Sequence, residues 1–124
     1  MFLRNLARSI AAASLVGVVA LGGATAAQAD PNAPILRRGS SGNGVKCVQF
    51  ALRNYWQAVS VSVDGAFGAA TETALRDVQL NYGLTVDGVV GKNTGTRLYM
   101  MLKSLEARGV TQNYNCYWNL PTLT

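Results

Sequence analysis

One short stretch of this chain occurs twice, with a constant offset of 23 residues between matched positions (64 to 87, 75 to 98). The first copy is Val63-Asp64-Gly65-Ala66-Phe67-Gly68 with Thr71, Thr73 and Leu75; the second is Val86-Asp87-Gly88-Val89-Val90-Gly91 with Thr94, Thr96 and Leu98. In each copy Asp before Gly indicates a tight turn, because Asp bonds to nearby backbone and Gly accepts a positive φ. Such a repeat indicates one turn-and-helix unit used twice. It restricts the fold to a small domain with two equivalent corners.

A first helix is predicted before the first corner. Val45, Val48 and Leu52 recur with helical spacing and define an amphipathic helix of about three turns. A Gly/Ser-rich stretch precedes it, and Ser41 or Asn43 is expected to cap its first amides.

Two further helices are predicted after the corners. One runs from about Ala69 to Tyr82 and ends at Gly83 in a left-handed C-cap; the other runs from about Asn93 to Arg108. Short extended pieces are predicted at 59–63 and 84–86. None of these helices is long enough to be stable alone, so their apolar faces must pack together. The predicted fold class is all-α, a compact three-helix bundle.

The N-terminal 29 residues have the features of a secretory signal peptide. Arg4 and Arg8 precede an apolar run at 10–23, and Ala27-Gln28-Ala29 supplies small residues for cleavage after Ala29. A membrane anchor is the alternative, but the apolar run is shorter than the roughly 20 residues that span a bilayer. We therefore expect a secreted product, extracellular or associated with the cell wall.

The chain that remains after signal cleavage is expected to have three parts. Residues 30–35 are expected to be a flexible lead-in, 36–108 the helical domain and 109–124 an aromatic C-terminal tail. Both cysteines, Cys47 and Cys116, lie in the exported part. An even number of cysteines in an oxidising compartment predicts a disulfide that staples the tail to the first helix.

Composition restricts the chemistry that this chain can perform. It has no histidine, so Ser-His and Cys-His nucleophile pairs and the usual zinc sites are excluded. We expect no catalytic residue, no metal and no cofactor; a small hydrolase that uses carboxylates is a less favoured alternative. The net charge of +5 falls to +3 when Arg4 and Arg8 leave with the signal peptide. That mild positive charge is compatible with an anionic wall, and it is not typical of nucleic-acid binding.

Two strings of the repeat resemble a known family. D-G-x-F-G-x-x-T begins at Asp64, and G-L-x-V-D-G-x-x-G begins at Gly83. They are similar to those of the bacterial peptidoglycan-binding domain family of the three-helix type, over about Leu36 to Leu102. The resemblance implies a non-catalytic module with a groove near the Asp-Gly corners. The chain departs from the family's pattern at Val78, where Phe is usual, and at Gly95, where an aromatic residue is common.

The resemblance and the aromatic residues together supply the candidate ligand-binding residues. Matching polar positions are Gln49, Asp64, Gln79 and Asp87, and the aromatic side chains that could stack on sugars are Tyr55, Trp56 and Tyr82. For each set a structural role is the alternative: the aspartates would hold the turns, the glutamines would tie helices together, and the aromatic rings would close the core.

The predicted function is that of a secreted, non-catalytic protein that binds peptidoglycan, at its glycan or its stem peptide. We expect a monomer that has no nucleic-acid partner and no membrane partner after signal cleavage. The alternative is a disulfide-locked scaffold that binds another secreted protein through the aromatic residues Tyr114, Tyr117 and Trp118 of its tail.

Overall fold

The computed structural model describes residues 32–123. In that part the chain forms four helices: α1 (Asn43–Asn54), α2 (Ala69–Asn81), α3 (Lys92–Ala107) and α4 (Cys116–Asn119). The all-α, three-helix prediction is confirmed, and the helix ends differ from it by a residue or two. The short α4 is not predicted by the sequence, because four residues are too few to show a period. The expected signal peptide, at 1–29, lies outside the described residues.

The centre of the fold is α1, which packs against each of the other three helices. Its inward side chains Val45, Val48, Ala51 and Leu52 are completely buried. The core is completed mainly by Leu75 and Val78 of α2 and by Leu98, Leu102 and Leu105 of α3. Burial of each such side chain contributes about 1.5–3 kcal/mol, so the packing of three apolar stripes holds together helices that would be unstable alone.

The extended pieces expected at 59–63 and 84–86 form no strand. Two isolated antiparallel bridges occur instead, between Leu36 and Val90 and between Ser41 and Ala66. The segment before α1 therefore pairs with the residues that follow both Asp-Gly turns. It ties the two corners together from outside the helices.

Glycines occupy the turn and the helix ends, as the repeat predicts. Gly65 and Gly88 have φ of +79° and +70°, and Gly83 ends α2 with φ of +67°. The expected side-chain cap of α1 is wrong: Gly42 is the N-cap residue, and no side chain bonds to the first amides. Asn43 is already inside the helix, and Ser41 takes part in the bridge to Ala66.

The C-terminal tail is part of the core. Cys47 and Cys116 form the predicted disulfide, with an S–S distance of 2.08 Å and a Cα–Cα distance of 5.5 Å. Beyond it, Leu120, Pro121 and Thr122 are buried. The tail therefore covers the bundle rather than trailing from it.

Gly95 is explained by this tail. A Cβ built at Gly95 would lie 1.7 Å from the carbonyl oxygen of Pro121, so no other residue fits beneath the tail here. At this position the resemblance leads us to expect an aromatic side chain, for which the tail leaves no space. The glycine thus permits close packing between α3 and the tail.

We predict that Gly95→Ala destabilises the protein. Alanine is favoured over glycine inside a helix by about 1 kcal/mol, yet overpacking against the tail costs about 1–3 kcal/mol. The net loss should appear as a lower urea midpoint. Gly68→Ala is the comparison, because a Cβ there meets no atom within 4 Å and its loss should be limited to the weaker N-cap of α2, below about 1 kcal/mol. A stabilised Gly95→Ala variant would mean that the tail does not pack against α3.

We also predict a large loss of stability when the disulfide is removed. The bond joins residues 69 positions apart, and closing a loop of that length contributes about 4 kcal/mol in the chain-entropy description. Urea unfolding of the Cys47→Ala/Cys116→Ala variant measures the loss, with reducing agent as a second route to it. The reducing agent should leave that double variant unchanged. Equal midpoints for the oxidised protein and the double variant would contradict the prediction.

Candidate functional site

A buried glutamine of α1 holds the first corner. The Gln49 side-chain oxygen accepts the backbone N–H groups of Asp64 and Gly65, at 3.0 and 2.8 Å. Its amide nitrogen lies 3.0 Å from Asp64 Oδ1, 2.9 Å from the Ala66 carbonyl oxygen and 3.1 Å from Thr71 Oγ1. Asp64 Oδ1 also accepts the Ala66 N–H, at 2.9 Å. We call this set of bonds the first glutamine clasp.

The second corner has the same set of bonds, which we call the second glutamine clasp. The Gln79 oxygen accepts the N–H groups of Asp87 and Gly88, at 3.1 and 2.9 Å. Its amide nitrogen lies 2.9 Å from Asp87 Oδ1, 3.0 Å from the Val89 oxygen and 3.1 Å from Thr94 Oγ1. Asp87 Oδ1 accepts the Val89 N–H at 2.9 Å. The sequence repeat therefore corresponds to a repeat of hydrogen bonds.

The clasps determine what these four candidate residues can contact. Gln49 and Gln79 are 1% and 0% exposed, and every polar atom of their side chains has protein partners. This geometry supports a structural role for the two glutamines rather than a ligand-binding role. Asp64 and Asp87 are exposed, with one carboxylate oxygen of each in its turn. Hydrogen bonds from the Ala66 N–H and then from Gln49 hold the pKa of Asp64 below its ordinary value. Ligand binding by these four residues stays a prediction.

The structure brings two of the three aromatic candidates together. The rings of Trp56 and Tyr82 have centroids 5.9 Å apart, and the Arg97 guanidinium lies 4.4 Å from the Tyr82 centroid. The Tyr55 ring has a different contact, with the Arg108 guanidinium 5.5 Å from its centroid. All three aromatic residues are partly buried and pack against the core. Their role in binding also stays a prediction.

A groove of about 560 Å³ runs between α2 and the segment that follows α1; we call it the α2 groove. One wall is formed by that segment, through Trp56, Gln57, Ala58 and Ser60. The other wall is formed by α2, through Ala69, Ala70, Thr73, Ala74 and Asp77. Its volume is within the range of about 300–1,000 Å³ typical of ligand sites.

A smaller depression lies beside each corner, and the two are related by the repeat. The first has about 190 Å³ and the second about 270 Å³. Ala69 and Ala70 in the first correspond to Lys92 and Asn93 in the second. The first depression shares Ser60, Ala69 and Ala70 with the α2 groove, so it continues into that groove.

The surroundings of the two corners differ because the connections that lead into them differ in length. Gln49 precedes Asp64 by 15 residues, whereas Gln79 precedes Asp87 by 8. The seven extra residues lie in the segment that builds the outer wall of the α2 groove. Sequence reasoning missed Ser60, Ala70, Thr73 and Asp77 as lining residues, although the unequal distance from Gln to Asp-Gly is visible in the sequence.

Outside the grooves, three other kinds of site are relevant to the described residues: a metal centre, a membrane span and a protein-binding tail. Within residues 32–123 no group of three or more Cys, Asp or Glu side chains is placed to hold a metal ion. No helix in that range is long and apolar enough to cross a bilayer. On the tail, Trp118 is 61% exposed, and binding of another protein there stays a prediction.

These features define a class: a small helical module in which clasped Asp-Gly corners join successive helices, with a ligand-sized groove beside the first corner. Residues 41–98 match the family described as "Putative peptidoglycan binding domain". The fold is similar to the crystal structure of the SleB N-terminal domain, with 37% identity and a TM-score of 0.53, over 57% of this chain and 96% of that chain. The chain belongs to this peptidoglycan-binding domain family, which confirms the resemblance.

Curated relatives share only part of their length with this chain. The zinc D-Ala-D-Ala carboxypeptidase of Streptomyces albus G is 36% identical over 67 residues, which are 53% of this chain and 26% of that enzyme. The spore cortex-lytic enzyme of Bacillus cereus is 38% identical over 82 residues, 64% of this chain and 31% of that enzyme. The shared region is thus a minor part of each enzyme.

We predict that Gln79→Met destabilises the protein by about 2–4 kcal/mol. Methionine has a similar length, but it leaves the buried Gly88 N–H and its neighbours without an acceptor, and each such group costs about 1–3 kcal/mol. Urea unfolding measures the loss. Gln57→Met is the matched control, because Gln57 is exposed and its amide donates to the Asn54 carbonyl oxygen at 3.1 Å, next to it on the surface. Equal stability of the two variants would contradict a structural role for the clasp.

Proposed function

We propose that this chain is a secreted, non-catalytic protein that binds the peptidoglycan of the cell wall. The observation that carries the proposal is the extent of the likeness to a separate module: the chain aligns with 96% of the SleB N-terminal domain at 37% identity. The match therefore covers a whole domain and does not end inside one.

The relatives support a wall ligand. Their names describe an enzyme that acts on D-Ala-D-Ala and an enzyme that lyses the spore cortex. Because the shared region is 26% and 31% of those enzymes, the part in common is better explained by a shared binding domain than by a shared active site. The clasps support the same reading, since they hold one carboxylate oxygen of Asp64 and one of Asp87 in the turns. Secretion is supported by the predicted signal peptide at 1–29.

We predict that the purified, oxidised chain co-sediments with insoluble peptidoglycan and stays in the supernatant with cellulose. Cellulose is the control because it is an insoluble glycan without N-acetyl groups or peptide. The pellet is washed with about 0.5 M salt, which screens adsorption driven only by the positive net charge. Turbidity of the wall suspension is followed in the same tube.

Three outcomes decide this proposal. Retention on peptidoglycan with constant turbidity supports a binding protein without turnover. Protein left in the supernatant contradicts it, and a falling turbidity contradicts its non-catalytic part. Trp118→Ala separates this function from the tail-binding alternative, because wall retention should be unchanged by a substitution on the exposed tail.

A further inference from the structure

We propose that the α2 groove binds the glycan strand of peptidoglycan, at its uncharged N-acetylated sugar rings, and not the acidic stem peptide. This inference rests on the proposed function, because it names the part of the same polymer that the chain holds. It is carried by three features that meet in one groove: an indole ring, a row of methyl groups and an uncompensated carboxylate.

The first feature is the shape of the groove. Ala69, Ala70 and Ala74 present only methyl groups along the α2 wall, so the groove has a smooth apolar side. The hydroxyls of Ser60 and Thr73 lie among them. In the lining as a whole, this strip of methyl groups lies beside hydroxyl, amide and carboxylate groups. That mixture matches a sugar ring, which has an apolar C–H face bordered by hydroxyl groups.

The second feature is the tryptophan at the end of the groove. Trp56 lines the groove and is supported by Tyr82, which itself lies under the Arg97 guanidinium. The ring is therefore held in place before a ligand arrives, which reduces the entropy lost on binding. A fixed indole offers a flat apolar surface for the C–H face of a sugar together with an N–H donor.

The third feature is the charge. Asp77 is the one charged residue in the lining, and the adjoining depression adds Asp64. Among the described residues, no hydrogen bond or ion pair engages the Asp77 carboxylate. Ionised carboxylates accept strong hydrogen bonds from hydroxyl and amide N–H groups, which N-acetylated sugars supply. The same charges repel the free carboxylates of a stem peptide.

The repeat provides an internal comparison. Beside the second corner, Lys92 and Asn93 replace the two alanines of the first, and Ile35 lines the depression. The lysine there interrupts the methyl surface, and its positive charge offsets that of Asp87 in the same lining. The short connection to Asp87 also provides no counterpart of Trp56. Only the first copy has the combination that suits a neutral sugar.

The test is a chemical-shift titration of the oxidised chain with two soluble probes. One probe is an oligosaccharide of N-acetylglucosamine; the other is a sugar-free stem peptide. We expect the oligosaccharide to shift the amide signals of Ser60, Ala70 and Asp77, and the peptide to leave them unchanged. Ala70→Leu narrows the groove and should weaken oligosaccharide binding about ten-fold. Asn93→Leu, which places a leucine at the equivalent exposed position of the second copy, should leave the affinity unchanged.

Each outcome gives a decision. Oligosaccharide shifts in the groove that Ala70→Leu weakens and Asn93→Leu does not would support the inference. Shifts caused by the stem peptide in the groove, shifts confined to the second corner, or equal effects of the two leucine variants would overturn it. Retention on insoluble wall without any oligosaccharide shift would overturn the inference and leave the proposed function standing. Loss of wall retention together with the oligosaccharide shifts would contradict the inference and the proposed function alike.

Discussion

The fold depends on one interaction: the side-chain amide of a buried glutamine bonded to the backbone of an Asp-Gly turn. Without Gln49 and Gln79, the N–H groups of Gly65 and Gly88 would be buried with no acceptor, at a cost of about 1–3 kcal/mol for each group. Each clasp also joins the helix before a corner to the Thr in the first turn of the helix after it. Two clasps in series therefore fix the order and spacing of α1, α2 and α3.

The two clasps have the same geometry although the connections that lead into them differ in length. All six bonds of one clasp have a counterpart within 0.1 Å in the other. The connection before the first corner is longer by seven residues, and it can vary because the clasp holds the turn in either case. The α2 groove is formed by that connection and so lies in the part of the chain that is not repeated. Function in this protein is expected where the two copies differ.

Much of the fold is predictable from the sequence, because it depends on local patterns. Asp-Gly pairs and helical periodicity identify both corners and three helices, and the cysteine count identifies the disulfide. Gly95 is a different case, since its meaning depends on Pro121, which is 26 positions away and has no pattern that places it. A lone glycine in a helix is explained only once the close approach of the tail is known.

The candidate site is less predictable, for a physical reason. Gln49 and Gln79 have the hydrogen-bonding chemistry of ligand residues, but their partners lie 15 and 8 positions away, and only the fold shows that those partners saturate the amides. Conversely, Ala69 and Ala70 carry no chemical signal in a sequence, and their small size becomes informative only opposite Trp56. Residues with hydrogen-bonding side chains are therefore the obvious candidates in the sequence, yet in the structure they hold the turns. The α2 wall of the groove is formed largely by small alanine side chains.

The tail links stability to this surface. The disulfide joins the tail to α1, the helix that contacts all the others, and the tail crosses α3 at Gly95. A domain of this size buries a modest core, so a staple at its central helix restrains every element at once. Both walls of the α2 groove are connected to α1, one by the chain itself and one by the first clasp. A groove whose walls are fixed in this way loses little entropy when it binds a ligand.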